Sequence, residues 1–408
     1  MIRRFLVCLA IAWAIVAPVA QTPPARDPIL ILMSYDGWRW DYMDRLAVPN
    51  LEALAARGVR ATELIPSFPS FTFPNHYSIV TGLYPAHHGI VANTFADPAY
   101  LEPFKMSADT AKNPRWWEGE PIWVTAIRQG RRAGTMFWPG SEVAIGGVRP
   151  TYWLPYSQEL SSPDRVTQVL DWLALPEAER PAFVSLYFDE VDTAGHEYGP
   201  DSPELAAAVR RLDDALGQLV AGVHRLGLDD RTTVVAVSDH GMAPSAEDRL
   251  IFLDDYIDLK QVDVIDTGEF LQVAPRTGTV DAVYRQLFGK DPHLTIYTRE
   301  QLPARFHYRD NARIAPIIGL LDEGWILTSH EREAARKPDA KPRRGAHGYD
   351  PQLRSMHGLF VAAGPALRQG LVVAPFENVH IYDFMCAVMR LTPATNDGNP
   401  SVTRAFLR

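Results

Sequence analysis

Pro28-Ile29-Leu30-Ile31-Leu32-Met33-Ser34 is almost wholly apolar, and the chain leaves this run through Asp36-Gly37. Apolar residues at successive rather than alternate positions mark a strand covered on both faces, as in a parallel sheet. Two further runs have the same character, Ala182 to Phe188 and Thr232 to Val237. Each passes straight into polar residues, Asp189 to His196 after the first and Ser238-Asp239-His240 after the second. Between them Leu205, Val209, Leu212, Leu216, Leu219 and Val223 recur by threes and fours, which predicts an amphipathic helix. A shorter helix is expected over Pro49 to Arg57, stopped by Gly58 as its C′ residue. Buried strands alternating with helices predict a doubly wound, mostly parallel α/β sheet flanked by helices. Ligands bind such sheets outside the carboxyl ends of the strands, so the polar residues after the three strands are expected to line one crevice. A fourth strand, Leu359 to Ala363, follows a polar segment that carries His347.

The 408 residues can hold one large α/β domain with insertions, or two ordinary domains. A formal net charge of −9 argues against a surface that coats duplex nucleic acid, while leaving room for a nucleotide in a small polar site. The start of the chain differs in kind: Arg3 and Arg4, an apolar run from Phe5 to Val16, then Ala17-Pro18-Val19-Ala20. This is the layout of a signal peptide cleaved after Ala20, and the run is short for a membrane span. Cleavage leaves Cys386 as the only cysteine, so no intramolecular disulfide is expected, which suits a bacterial periplasm. No other stretch is long and apolar enough to span a bilayer. Residues 94–160, rich in Trp, Pro and Gly, are expected to be loops with short elements over the crevice. Residues 255–345 are expected to form a small α+β insertion within a catalytic domain of residues 28–408.

Asp36, Asp192, His196, Asp239, His240 and His347 combine three carboxylates with three imidazoles, a donor set suited to zinc, with manganese or iron as alternatives. Asp192 and His196 stand four residues apart, and Asp239 and His240 are adjacent at a strand end. Either pair alone is a weak signal, since an Asp-x-x-x-His is usually a surface pair and an Asp-His-Gly can simply cap a turn. What gives them weight is that all six fall at or near one edge of one expected sheet.

Thr72 lies in Pro69-Ser70-Phe71-Thr72-Phe73-Pro74-Asn75-His76, with Pro74 suited to the first turn of a helix and Thr72 to its N-cap. Two readings of Thr72 stay open on the residues alone. One makes it a cap. The other makes it a nucleophile at a helix end that favours negative charge, its hydroxyl acidified by a metal.

Several segments occur in order: Ser34 to Gly37, Pro69 to His76, Thr81-Gly82-Leu83-Tyr84-Pro85 with His88-Gly89-Ile90, Asp192 to His196, Val237 to Met242, and His347-Gly348-Tyr349-Asp350. From about residue 28 onward the chain resembles the nucleotide pyrophosphatase/phosphodiesterase family of the alkaline phosphatase superfamily, in particular its compact bacterial members. The resemblance implies two zinc ions, one held by Asp192, His196 and His347, the other by Asp36, Asp239 and His240. It implies Thr72 as a further ligand of the ion held by Asp36, Asp239 and His240 and as the nucleophile, with a covalent phospho-threonine and release of a nucleoside monophosphate. It matches Asn93 to an asparagine that contacts phosphate, although by itself Asn93 reads as a turn residue. A neutral amide there suits a diester, which carries a single charge. The resemblance also makes Phe73 and Tyr156 the two faces of a base-stacking slot, although both could be ordinary core aromatics. His76, His87, His88 and His357 are left outside the ligand set. The family commonly has Pro where Val191 stands, a difference of loop stiffness and not of ligand type.

The expected partner is therefore a small phosphodiester, most simply a nucleotide. Rival readings are a choline or lipid phosphodiesterase, a phosphomonoesterase, and a metal-binding protein without activity. The lack of a Cys-x-Pro-x-Arg or Ser-x-Pro-x-Arg segment argues against a sulfatase.

Overall fold

The computed structural model describes residues 27–408. The expected signal peptide, Met1 to Ala20, lies outside the described residues.

Eight strands form the central sheet in the order Leu371–Val373, Val59–Ala61, Phe360–Ala363, Thr232–Val237, Ile29–Tyr35, Phe183–Phe188, Ala133–Met136 and Tyr152–Trp153. The three strands read from the sequence occupy its centre. Ile29–Tyr35 is buried at all seven positions, between two parallel neighbours. The register aligns Tyr35 with Phe188 and Ser34 with Val237, so Asp36 and Asp239 leave the sheet at the same level.

Phe360–Ala363 runs antiparallel to both neighbours, which makes the sheet mixed. Its direction matters for the site. Residues that precede an antiparallel strand emerge at the edge where the parallel strands end, so His347 reaches the same crevice from upstream.

The amphipathic helix is present as Pro203–Arg225, with Leu205, Val209, Leu212, Leu216, Leu219 and Val223 all buried. It packs on one face of the sheet with helix Ser162–Ala174. Helix Pro49–Ala56 forms as expected, with Gly58 in the expected C′ position. Arg57 is the C-cap, and Gly58 does not take a left-handed conformation. A side chain at Gly58 would place Cβ 2.0 Å from the Ala362 carbonyl, so glycine is required there by the close approach of strand Phe360–Ala363.

Within residues 94–160, Ala133–Met136 and Tyr152–Trp153 extend the central sheet, beyond the loops and short elements expected there. Within residues 255–345, four antiparallel strands lie in the order Val262–Asp266, Phe270–Pro275, Ile317–Leu321, Leu294–Thr298, covered by helix Val280–Leu287. Among the described residues no helix is long and apolar enough to cross a membrane.

Candidate functional site

Four chain segments meet at the carboxyl edge of the central strands. The first is the turn after Ile29–Tyr35. Gly37 sits there at φ +69°, and a Cβ on it would lie 2.9 Å from the Asp192 backbone. Glycine thus serves both the turn and the approach of the second segment, helix Glu190–Tyr198, which starts directly after strand Phe183–Phe188. The helix explains the spacing of Asp192 and His196, because residues four apart share one face. The third segment is Asp239-His240-Gly241. The fourth is the backbone around Gly345 to Gly348, where a Cβ on Gly345 would come within 2.3 Å of the Gly195 carbonyl of that helix.

Each of the three histidines is fixed through Nδ1. His196 Nδ1–H donates to the Gly345 carbonyl at 3.0 Å, His347 Nδ1–H to Ser70 at 3.0 Å, and His240 Nδ1–H to Gly241 at 2.9 Å. With Nδ1–H spent on a carbonyl, Nε2 is the nitrogen each ring turns to a carboxylate or a metal. Burial opposes charge on His196 and His240, but the neighbouring Asp192 raises the first to about 9 and Asp239 raises the second. The Nε2 atoms face the carboxylates. His240 Nε2 lies 3.0 Å from Asp239 Oδ2 and 3.4 Å from Asp36 Oδ1. His196 and His347 Nε2 lie 3.4 and 3.5 Å from Asp192 Oδ1. Asp36 Oδ1, Asp239 Oδ2 and Asp192 Oδ1 are buried and accept no hydrogen bond. The other oxygens of Asp36 and Asp239 are satisfied: Tyr187 OH donates to Asp36 Oδ2 at 2.6 Å and Gly37 N–H to Asp239 Oδ1 at 3.2 Å. Burying these carboxylate oxygens together is costly unless positive charge, on the imidazoles or on a bound cation, joins them.

Two triads have donor atoms close enough to share an ion, Asp192 with His240 and His347, and Asp36 with His76 and Asp239. His240 thus borders both groups, with its ring stacked 3.5 Å from that of His347. His240 Nε2 also faces Asp239 and Asp36, at 3.0 and 3.4 Å, while His196 belongs to neither triad. His76 is a weaker ligand than the triad suggests, because both ring nitrogens are engaged. Nδ1 lies 2.9 Å from the Thr72 carbonyl and Nε2 lies 2.8 Å from Ser34 Oγ. His87 pairs with Asp397, His88 with Ser78 and His357 with Glu63, all outside the cluster.

The electrostatics reflect this crowding. Burial, then the charges of Asp239 and Asp192, raise the Asp36 carboxyl well above its ordinary range. Burial also works against charge on Asp239, but the neighbouring His240 and His76 hold it well below the usual value. Burial, with His240 nearby, pushes His347 down to about 3, so its ring is neutral at physiological pH.

Thr72 is the first residue of helix Thr72–Thr81. Phe71 is the N-cap, one residue earlier than expected, and no side chain of the cap residue bonds the helix. The Thr72 hydroxyl is thus not spent as a cap. It lies 3.3 Å from His240 Nε2. The helix end is served instead by Asn93, whose Oδ1 accepts the Phe73 N–H at 3.0 Å. This orients the amide and leaves both Nδ2 protons for other acceptors.

A cavity of about 610 Å³ opens beside these groups, lined in part by Asp36, Thr72, Phe73, Tyr156, Tyr187 and Asp192. Phe73 packs at 6.1 Å from Trp117, and Tyr156 at 5.2 Å from Phe137. Both aromatic candidates therefore reach the same cavity. The reading of the sequence missed Tyr187. Its only signal was a hydroxyl-bearing ring near the end of a buried strand.

The mixed sheet flanked by helices, with this cluster at its edge, is the alkaline phosphatase-like architecture. The family model for type I phosphodiesterase / nucleotide pyrophosphatase matches residues 30–350, and the chain belongs to that family of enzymes. An uncharacterized pyrophosphatase/phosphodiesterase of Schizosaccharomyces pombe is 38% identical over 384 residues, covering 90% of this chain and 78% of the relative. The bis(5'-adenosyl)-triphosphatase enpp4 of Xenopus laevis is 36% identical over 408 residues, covering 99% and 87%. Among solved structures, murine ectonucleotide pyrophosphatase/phosphodiesterase 5, an inactive threonine-to-alanine form in complex with AMP, aligns with a TM-score of 0.88 at 34% identity. That alignment covers 94% of this chain and all of the murine one.

Proposed function

We propose that this enzyme is a two-zinc nucleotide phosphodiesterase that works through a covalent phospho-threonine on Thr72. The observation that carries the reading is the Thr72 hydroxyl, not spent as a cap and 3.3 Å from His240 Nε2, beside buried carboxylate oxygens that accept no hydrogen bond. Asp192, His196 and His347 would hold one ion, and Asp36, Asp239 and His240 the other, beside Thr72. Bound there, zinc would supply Lewis-acid charge that acidifies a neighbouring hydroxyl and offsets the charge of an in-line displacement.

Thr72 Oγ bonds to phosphorus as the bond to the leaving oxygen breaks, and its proton passes to solvent. Water then attacks the same phosphorus, the bond to Thr72 Oγ breaks, and a nucleoside monophosphate is released. Asn93 donates Nδ2–H to one non-bridging oxygen without adding charge, which suits a diester. Phe73 and Tyr156 flank the base. The AMP bound by the inactive murine relative, and the diadenosine triphosphate implied by the name of the Xenopus relative, support a nucleotide substrate. On the same reading residues 28–408 form one catalytic unit with residues 255–345 inserted, exported by cleavage of the first twenty residues.

Thr72→Ala tests the proposal. Turnover of a bis-aryl phosphate diester should fall by about a thousandfold or more while zinc content is unchanged. Near-wild-type turnover would remove Thr72 from the chemistry. A faster rate on the matching monoester would overturn the diesterase assignment, and a panel with nucleotide and choline diesters identifies the leaving group.

A further inference from the structure

Tyr156 is 44% exposed and belongs to residues 154–161, a stretch without helix or strand between strand Tyr152–Trp153 and helix Ser162–Ala174. An open ring on an irregular segment makes a good stacking face only if the backbone beneath it is already held, because ordering it on binding would oppose affinity.

One side chain does most of the holding. Arg165, in helix Ser162–Ala174, turns its guanidinium back under the segment and is only 3% exposed. Its Nε donates to the Leu160 carbonyl at 2.9 Å and its Nη2 to the Ser157 carbonyl at 3.2 Å. Its Nη1 donates to the Tyr187 carbonyl at 2.9 Å and to Asp189 Oδ1 at 3.2 Å. All three nitrogens are thus spent, two on the segment and one on the end of strand Phe183–Phe188. Tyr187 lies one residue past the last pair with strand Ala133–Met136, which ends opposite Leu186. The guanidinium carbon also lies 5.4 Å from the centre of the Phe137 ring, against which Tyr156 packs edge-on at 5.2 Å. Two further ties of the segment are exposed to water, Tyr156 N–H to Glu142 Oε1 at 2.9 Å and Gln158 Nε2 to Asp189 Oδ2 at 3.1 Å.

We propose that Arg165 is a positioning residue for nucleotide selectivity, fixing the segment so that the Tyr156 ring stands as a preformed face for the base. This rests on the reading of Phe73 and Tyr156 as the two walls of a base slot. The planar fork accounts for the residue type, since one guanidinium reaches four acceptors in directions that the single ammonium of lysine does not cover. The metal ligands do not depend on it. Arg165 takes the carbonyl of Tyr187 and not the hydroxyl that holds Asp36, and Tyr187 is kept in register with Ser34 by the central sheet.

The test compares two esters with the same leaving group on the zinc-loaded enzyme: the para-nitrophenyl ester of a nucleoside monophosphate, and methyl para-nitrophenyl phosphate, which has no base. In Arg165→Lys, KM for the nucleotidyl ester should rise about tenfold, while its kcat, the kcat/KM of the methyl ester and the zinc content stay within about twofold of wild type. Tyr156→Ala should raise the same KM. Arg165→Lys added to it should raise it no further, since an arginine acting through the ring has nothing left to act on. Equal losses on both esters, or additive effects in the double variant, would make the arginine a purely structural group and overturn the proposal. A raised nucleotidyl KM in Tyr156→Ala with a wild-type KM in Arg165→Lys overturns it too, and leaves the slot standing. A wild-type KM in Tyr156→Ala removes the slot itself, and the proposal with it. If Arg165→Lys does not fold, Arg165→Gln, which brings no unpaired charge into the buried position, is compared in the same way and decides.

Discussion

Tyr187→Phe removes one oxygen atom from the wall of the site and leaves the ring. That oxygen donates to Asp36 Oδ2 at 2.6 Å, fixing the carboxylate so that Oδ1 faces His240. A buried hydrogen bond to a charged group contributes about 1.5–3 kcal/mol, equivalent to roughly 10- to 150-fold in an equilibrium constant. Removing a hydrogen bond that orients a metal ligand typically costs 10–100-fold in affinity or activity. The expected result is a zinc affinity lower by about 10- to 100-fold, with KM for a diester little changed. The sign with pH follows from Asp36. Burial and the charges of Asp239 and Asp192 raise its pKa, while the Tyr187 hydroxyl opposes that rise. Without the hydroxyl, the proton competes better with the cation, so the variant should lose its metal at a higher pH than wild type. The assay is activity in zinc-buffered solutions across pH 5 to 8. A wild-type zinc midpoint, or a change in KM alone, would refute the reasoning and reduce Tyr187 to a piece of cavity wall.

Gly345→Ala should lower stability by about 1–3 kcal/mol and weaken zinc binding, because its Cβ would meet the Gly195 carbonyl and push away the acceptor of His196; thermal unfolding and zinc titration check both. Asn93→Ala should lose about 1 kcal/mol with the partner of Phe73 N–H, whereas Asn93→Asp should keep that acceptor and melt near wild type yet turn over diester more slowly through repulsion of its charge. Asp266 is pushed up to about 7 by burial, above its unfolded value of about 3.9, so its contribution is complete below about pH 4 and lost as pH rises through 7. Asp266→Asn should therefore melt like wild type at pH 4 and gain roughly 2 kcal/mol by pH 8, allowing for partial solvent exposure, as read by chemical denaturation. Chelation should silence the enzyme and lower its melting temperature, since the bare oxygens of Asp36, Asp192 and Asp239 lose their counter-charge, and zinc should restore both.

The centre of the fold was legible because its signals are local. A strand buried on both faces has to be apolar throughout, and Thr232–Val237 appears with the bounds expected from its residues. The edge of the sheet was not legible. Ala133–Met136 is four residues with a glycine, and Tyr152–Trp153 is two, too short to show any period. The helical state of Asp192 to His196 was hidden because Gly195 weakens the helix signal. That glycine lies where the segment packs against the Met242 side chain. The one-residue error at Thr72 has a similar cause. Threonine is a good cap by propensity, but the orphan N–H of Phe73 is taken by Asn93, twenty residues away in the sequence. Freed from capping, the Thr72 hydroxyl can serve another purpose.

The conversion of a list of ligand types into a site depends on backbone carbonyls that no motif records. His196, His240 and His347 are each held by the carbonyl of a residue that itself packs under constraint, and two of those carbonyls come from other segments. Gly345 holds His196 while lying against the helix that carries it. Ser70 holds His347 while its own hydroxyl donates to the Tyr349 carbonyl, two residues beyond. The loop before Thr72 and the loop around His347 thus fix each other. The position of the Thr72 hydroxyl relative to the histidines is therefore a property of two loops locked together, and not of either motif alone. The antiparallel strand Phe360–Ala363 makes this possible, because only a strand of that direction delivers its preceding loop to the edge where Asp36 and Asp239 leave the sheet.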